Sequence, residues 1–87
     1  MPKIEIYTKN WCIYCKRAKA SLTKLGLSFH EVDVTNNPEL EAEMRTRSQQ
    51  FTVPQIFIGG GHLGGNSDLE AAIRSGRLEQ RLSAVPA

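Results

Sequence analysis

Cysteine occurs only twice in this 87-residue chain, at Cys12 and Cys15, and aromatic residues make up just 7% of it. Two cysteines cannot build the dense disulfide framework that holds small secreted domains together. No apolar run approaches the roughly 20 residues of a membrane-spanning helix. Charge of one sign is also scarce: 11 basic residues against 9 acidic ones leave +2, too small a surplus to make nucleic acid the default partner. There is no low-complexity stretch, internal repeat or linker. The opening Met1-Pro2-Lys3-Ile4-Glu5 lacks the apolar stretch and cleavage site of a secretory signal. A cytoplasmic protein with no membrane partner is therefore expected. In that reducing setting a cysteine pair serves catalysis, redox sensing or metal binding more readily than it serves as a staple.

With 40% apolar and 23% charged residues, the chain can bury a modest core, and its length suits one small domain spanning 1–87. Residues 3–7 alternate like a short strand, and Thr8 to Trp11 form a loop. Ile13 to about Leu25 turns helical, with Ala18, Leu22 and Leu25 on one face, and Gly26 is a stop signal. Residues 29–34 read as a second strand. Asn37-Pro38 supplies an N-cap and a first-turn proline for a helix running to about Ser48, with Glu39 and Glu41 in its first turn. Gln55 to Ile58 is a third strand, the three glycines 59–61 a turn, and His62-Leu63 the return strand. Ser67-Asp68-Leu69-Glu70 reads as a capping box that opens a third helix ending near Gly76. Arg77 to Ser83 can form one more short helix. The order β-α-β-α-β-β-α-α gives an α/β domain: the β-α-β start demands parallel strands with a right-handed crossover, and the late hairpin makes the sheet mixed.

Cys12-Ile13-Tyr14-Cys15 lies where a loop hands over to a helix. The first helical turn offers unpaired N–H groups and a partial positive charge, which stabilise a thiolate. No acidic residue occurs from Tyr7 to Phe29, whereas Lys9, Lys16, Arg17, Lys19 and Lys24 do. Both features favour the thiolate form of Cys12. At i and i+3 the two sulfurs can meet on one helix face. Cys12 is expected to be the exposed attacker and Cys15 the shielded thiol that closes the disulfide. A structural disulfide is the weaker reading because it would close a tiny loop in a reducing compartment. Zinc is weaker still: the only further soft ligands, His30 and His62, lack zinc-finger spacing, so no metal site is expected. A CxxC in a βαβ setting reads as a redox motif.

Three segments carry a resemblance. Lys9-Asn10-Trp11-Cys12-Ile13-Tyr14-Cys15, then Thr52-Val53-Pro54, then Gly64-Gly65-Asn66-Ser67-Asp68 resemble the signatures of the glutaredoxins, in family order and spacing, over residues 3–83. The likeness is to the short bacterial dithiol type, glutaredoxin 3-like. It implies a thioredoxin fold, with a four-stranded mixed sheet flanked by helices, and glutathione-dependent thiol–disulfide exchange. Cys12 would be the nucleophile and Cys15 the resolving thiol. Pro54 would be a cis-proline that leaves the Val53 backbone free to pair with glutathione as a short strand addition. Lys9, Tyr14, Thr52 and Gly65 would line the groove, Lys9 near the glycyl carboxylate. Ser67 and Asp68 would meet the γ-glutamyl end at a helix N-terminus. Ser67 as a mere helix cap and Asp68 as a mere dipole partner are the plain alternatives.

Two departures from the family pattern stand out. Ile13 occupies a position where proline is usual, freeing an N–H that could donate toward the Cys12 sulfur. Glu41 stands where many members carry Gln or Arg toward the glycyl carboxylate, which it would repel; Arg45 or Arg47 could substitute. The resemblance implies a monomer that holds no permanent cofactor and uses glutathione as co-substrate. Its clients would be protein disulfides and glutathionylated proteins, a ribonucleotide reductase being one that the family suggests. A thioredoxin-like reductant and a carrier of a [2Fe–2S] cluster shared with glutathione are the alternatives.

Overall fold

The computed structural model describes residues 2–83. Its elements are β1 (Ile4–Thr8), α1 (Ile13–Lys24), β2 (His30–Asp33), α2 (Pro38–Ser48), β3 (Gln55–Ile58), β4 (Gly61–Gly64), α3 (Asn66–Ser75) and α4 (Arg77–Ser83). The four strands form one sheet in the order β2-β1-β3-β4. β1 runs parallel to β2, with Glu5 opposite His30, and antiparallel to β3, with Ile6 opposite Ile56. The expected mixed sheet flanked by helices is the one observed.

Strand alternation sorts the core into two layers. Ile4, Ile6, Ile56 and Ile58 point to the face covered by α1, α3 and α4, where they meet Ala18, Leu22, Leu69, Ala72 and Leu78. Tyr7 and Phe57 point the other way, against Met44 of α2 and Val34. β1 and β3 are the inner strands and are covered on both faces, which is why β3 carries the unbroken apolar run Ile56-Phe57-Ile58.

The helix ends show where local rules decide. Gly26 takes φ +73°, the Gly26 N–H donates to the Thr23 carbonyl, and the Leu27 N–H donates to the Leu22 carbonyl. This is a Schellman turn, which returns Leu27 to the core beside Leu22. Leu25, expected on the buried face, is instead the C-cap and is exposed. At α2 the Asn37 Oδ1 accepts the Leu40 N–H at 3.1 Å, with Pro38 in the first turn. That helix closes on Gln49 at φ 58°, a left-handed residue that is not glycine and so gives no sequence signal.

α3 begins two residues earlier than the expected capping box allows. Its N-cap is Gly65, and Asp68 Oδ2 accepts the Gly65 N–H at 2.9 Å. The N3 acid that reaches back is therefore Asp68 rather than Glu70, and Ser67 lies inside the helix.

Candidate active site

Cys12 is the N-cap of α1, with φ −84° and ψ 116°, directly after the turn that follows β1. An N-cap side chain folds back over the first helical turn and meets the N–H of the second or third helical residue. Cys12 does this: its Sγ accepts the Cys15 N–H at 3.1 Å. The donor is thus Cys15, at N3, and not Ile13. On its other side the Cys12 thiol donates to the Val53 carbonyl at 3.6 Å. The Val53-Pro54 peptide bond is cis, as expected. The carbonyl of Val53 is therefore already engaged by the thiol, while its N–H makes no backbone hydrogen bond among the described residues.

Both cysteines are free thiols. Cys12 is only 5% exposed and Cys15 1%, so the expectation of an exposed attacker needs correcting. Folding back over the helix end turns the sulfur inward, while its neighbours stand outward: Trp11 is 69% exposed, and Ile13, Tyr14 and Phe51 are exposed as well. The Cys12 sulfur is thus buried although the apolar side chains beside it in sequence are exposed. Burial, followed by the hydrogen bond with Cys12, pushes the Cys15 thiol up to about 12. Cys15 therefore keeps its proton at neutral pH. The first turn of α1 carries no acidic residue, so nothing there opposes negative charge on the outer sulfur.

Beside the sulfur runs a groove of about 400 Å³ whose walls include Tyr14, Thr52, Val53, Pro54, Gly65, Ser67 and Asp68. Seven of the eight residues expected to meet a ligand thus share one cleft. The exception is Lys9. It lines a neighbouring hollow with Trp11 and Glu41, and its ammonium lies 2.7 Å from the Glu41 carboxylate. Arg45 also contacts Glu41, at 3.3 Å. Arg47 is committed elsewhere: it donates to both Glu5 carboxylate oxygens and to the Tyr7 hydroxyl, and lies 4.0 Å from the Phe57 ring centroid.

Sequence reasoning missed Gln50, Asn66 and Glu70 in the groove wall, and Gln55 behind it. The buried Gln55 amide donates to the Thr52 carbonyl at 3.0 Å and to Gln50 Oε1 at 3.1 Å, while its own Oε1 lies 2.7 Å from His62 Nε2. It ties the 50–54 loop to β3 and β4. A polar residue inside the apolar stretch 55–58 was the available signal. Glu70 faces Arg17 across α1 and α3 at 3.3 Å, with the Arg17 guanidinium over the Tyr14 ring. Among the described residues, no three His, Cys, Asp or Glu gather as metal ligands, and no helix is long and apolar enough to cross a membrane.

Comparison with known proteins agrees with this geometry. The Glutaredoxin family profile matches residues 4–63. The chain is 48% identical over 84 residues to a glutaredoxin of Pseudomonas aeruginosa, covering 97% of this chain and 100% of that one. It is 48% identical over 82 residues to glutaredoxin 3 of Escherichia coli, covering 94% and 99% respectively. Among solved structures, Brucella melitensis glutaredoxin superposes with a TM-score of 0.83 at 44% identity, over 99% of this chain and 96% of that one. A buckwheat glutaredoxin–glutathione complex superposes with a TM-score of 0.85 at 28% identity, over 94% and 77%. The architecture is the thioredoxin fold.

Proposed function

The chain belongs to the glutaredoxin family of thiol–disulfide oxidoreductases, and from that membership we propose that it is a glutathione-dependent enzyme acting through Cys12 and Cys15. Its substrates are glutathione mixed disulfides and protein disulfides. The observation that carries the reading is the placement of the Cys12 sulfur between the Cys15 N–H and the carbonyl of Val53, a residue of the groove wall.

With a glutathionylated client, the Cys12 thiolate attacks the glutathione sulfur. The client–glutathione S–S bond breaks and the client leaves as a thiolate that takes up a proton. The Cys15 N–H, already aimed at the Cys12 sulfur, steadies it before attack and again when it becomes a leaving group. A second glutathione thiolate then attacks the glutathione sulfur of the enzyme intermediate, releasing glutathione disulfide and the Cys12 thiolate. With a protein disulfide, the Cys12 thiolate attacks one client sulfur, the client S–S bond breaks, and the other client sulfur leaves as a thiolate that takes up a proton. Cys15 then gives up its proton, attacks Cys12, and expels the second client thiol. Two glutathiones re-reduce the Cys12–Cys15 disulfide and leave as glutathione disulfide.

Glutathione fits the groove by its chemistry. Its γ-glutamyl carboxylate suits the α3 N-terminus and the Ser67 hydroxyl, and its ammonium suits Asp68. Its cysteinyl backbone can pair with the unengaged Val53 N–H. The complex formed by the buckwheat relative supports this ligand. We place the protein in the cytoplasm, where both thiols stay reduced.

The test is turnover of a small glutathione mixed disulfide, coupled to glutathione reductase, with and without glutathione. Activity that requires glutathione and disappears in Cys12→Ser is expected. Turnover that ignores glutathione and draws electrons from a thioredoxin reductase would replace this reading with a thioredoxin-like one. A coloured dimer after anaerobic purification, inactive in the assay, would replace it with cluster carriage.

A further inference from the structure

We propose that Glu41 is a specificity-determining residue: its carboxylate holds the Lys9 ammonium in the hollow beside α2, outside the ligand groove, and so weakens selection for a substrate end that carries a free carboxylate. This inference rests on the glutathione reading above.

The Lys9–Glu41 contact is short, at 2.7 Å, and partly shielded, with the two side chains 24% and 23% exposed. Lys9 also lies 5.7 Å from the Trp11 ring centroid, which leans its stem into the same hollow. Glu41 engages Arg45 at the same time, at 3.3 Å, so one carboxylate occupies two cations on this flank. The hydrogen bond from Lys9 keeps the Glu41 carboxyl below the usual carboxylate range, and it is ionised at neutral pH.

Lys9 nevertheless adjoins the reacting residue through the backbone, since its carbonyl accepts the Cys12 N–H at 3.2 Å. Glutathione with its γ-glutamyl end at Ser67 and Asp68, and its thiol at Cys12, extends its glycyl end out of the groove. Lys9 and Arg45 are the cations set on the α2 flank, and both are already engaged. An incoming carboxylate has to draw Lys9 off Glu41 and settle near a fixed like charge. A neutral substrate end meets neither obstacle. Unlike charges a few ångströms apart near a surface interact strongly enough for their loss or gain to change an equilibrium severalfold.

The probe is the mixed disulfide of glutathione with 2-mercaptoethanol, prepared with its glycyl carboxylate either free or as the ethyl ester. The unaltered enzyme is expected to use the two with kcat/KM values within about twofold. Glu41→Gln should raise kcat/KM for the free acid about fivefold through KM, leave the ester unchanged, and lose the gain at high salt. Adding Lys9→Gln to Glu41→Gln should cancel the gain, which separates Lys9 from Arg45. If Glu41→Gln changes acid and ester equally, or neither, the inference is overturned while the glutathione reading stands. If the unaltered enzyme turns over neither compound, both fall. Melting temperatures of the variants show whether a lost fold explains any common drop.

Discussion

Cys15 lends its backbone N–H to the Cys12 sulfur at 3.1 Å, while its own thiol is buried beneath and held protonated. In the proposed reaction one residue thus serves the nucleophile in two separable ways. The amide acts in every exchange, whatever the side chain. The thiol acts only when it must deprotonate and displace a client. Cys12→Ser is expected to abolish all activity. Cys15→Ser keeps the amide and is expected to keep deglutathionylation, because free glutathione can attack the intermediate. It should lose most protein-disulfide reduction, where a neighbouring thiol has a large effective concentration over free glutathione. Both variants assayed on both substrates decide this; equal loss of the two activities in Cys15→Ser would break the division of roles.

Burial of Cys15 has a thermodynamic signature. Its thiol is raised from an ordinary 9.0 to about 12, so the folded state keeps a proton that the unfolded chain releases between those values. A raised value contributes stability that is fully present below pH 9 and is lost as pH climbs toward 12. Cys15→Ser has no such group, and the other titrating side chains are common to both proteins. The melting-temperature gap between the parent and Cys15→Ser should therefore shift steadily against the parent from pH 9 upward. A constant gap from pH 7 to 10.5 would mean that the thiol titrates normally.

Arg47 joins the two inner strands to α2 on the face opposite the cysteines. It forks onto Glu5, with both contacts at 3.2 Å, donates to the Tyr7 hydroxyl at 2.8 Å, and lies over the Phe57 ring. Lysine cannot reproduce the planar fork or the stacking. Arg47→Lys is expected to lower stability by about 1–2 kcal/mol, read by urea denaturation at pH 7. The hydrogen bond from Arg47 holds the Glu5 carboxyl below its ordinary 4.5, against the opposing pull of burial. A depressed carboxyl contributes stability above the ordinary value and loses it as pH falls through the folded one. The difference between parent and variant should accordingly shrink below about pH 4. An undiminished difference at pH 3 would assign the effect to stacking alone.

Much of this arrangement was legible because it depends on short-range rules. Asn37-Pro38 started α2, Gly26 stopped α1, and the apolar stretch 55–58 was a fully covered strand. The CxxC does fall at a loop-to-helix junction, and residues from three distant segments do line one groove. Features that depend on where a side chain turns were not legible. Cys12 could sit at a helix mouth and still face inward, because its N-cap geometry folds the sulfur back. Lys9 and Glu41 are far apart in sequence and meet only because β1 ends and α2 begins at the same side of the sheet. The start of α3 was misplaced by two residues because Gly65, with no side chain to signal a cap, relies on Asp68 for one.

Gly64 provides the last test, because it lets that cap form beside the groove. Its φ is +129°, where side chains are rarely found, and a Cβ there would run into the Asp68 carboxylate. That carboxylate accepts the Gly65 N–H at 2.9 Å, so displacing it uncaps α3 and removes a charge from the groove together. Gly64→Ala should therefore act on both properties. Strained backbone typically costs 1–3 kcal/mol and a lost cap about 1 kcal/mol more. Asp68→Ala removes the cap without the strain, so it should destabilise less while raising the KM for the glutathione mixed disulfide comparably. Thermal melts and kinetics of the two variants separate the terms. If Asp68→Ala lowers the melting temperature but leaves KM untouched, Asp68 serves the helix alone and the γ-glutamyl end is held by other groups.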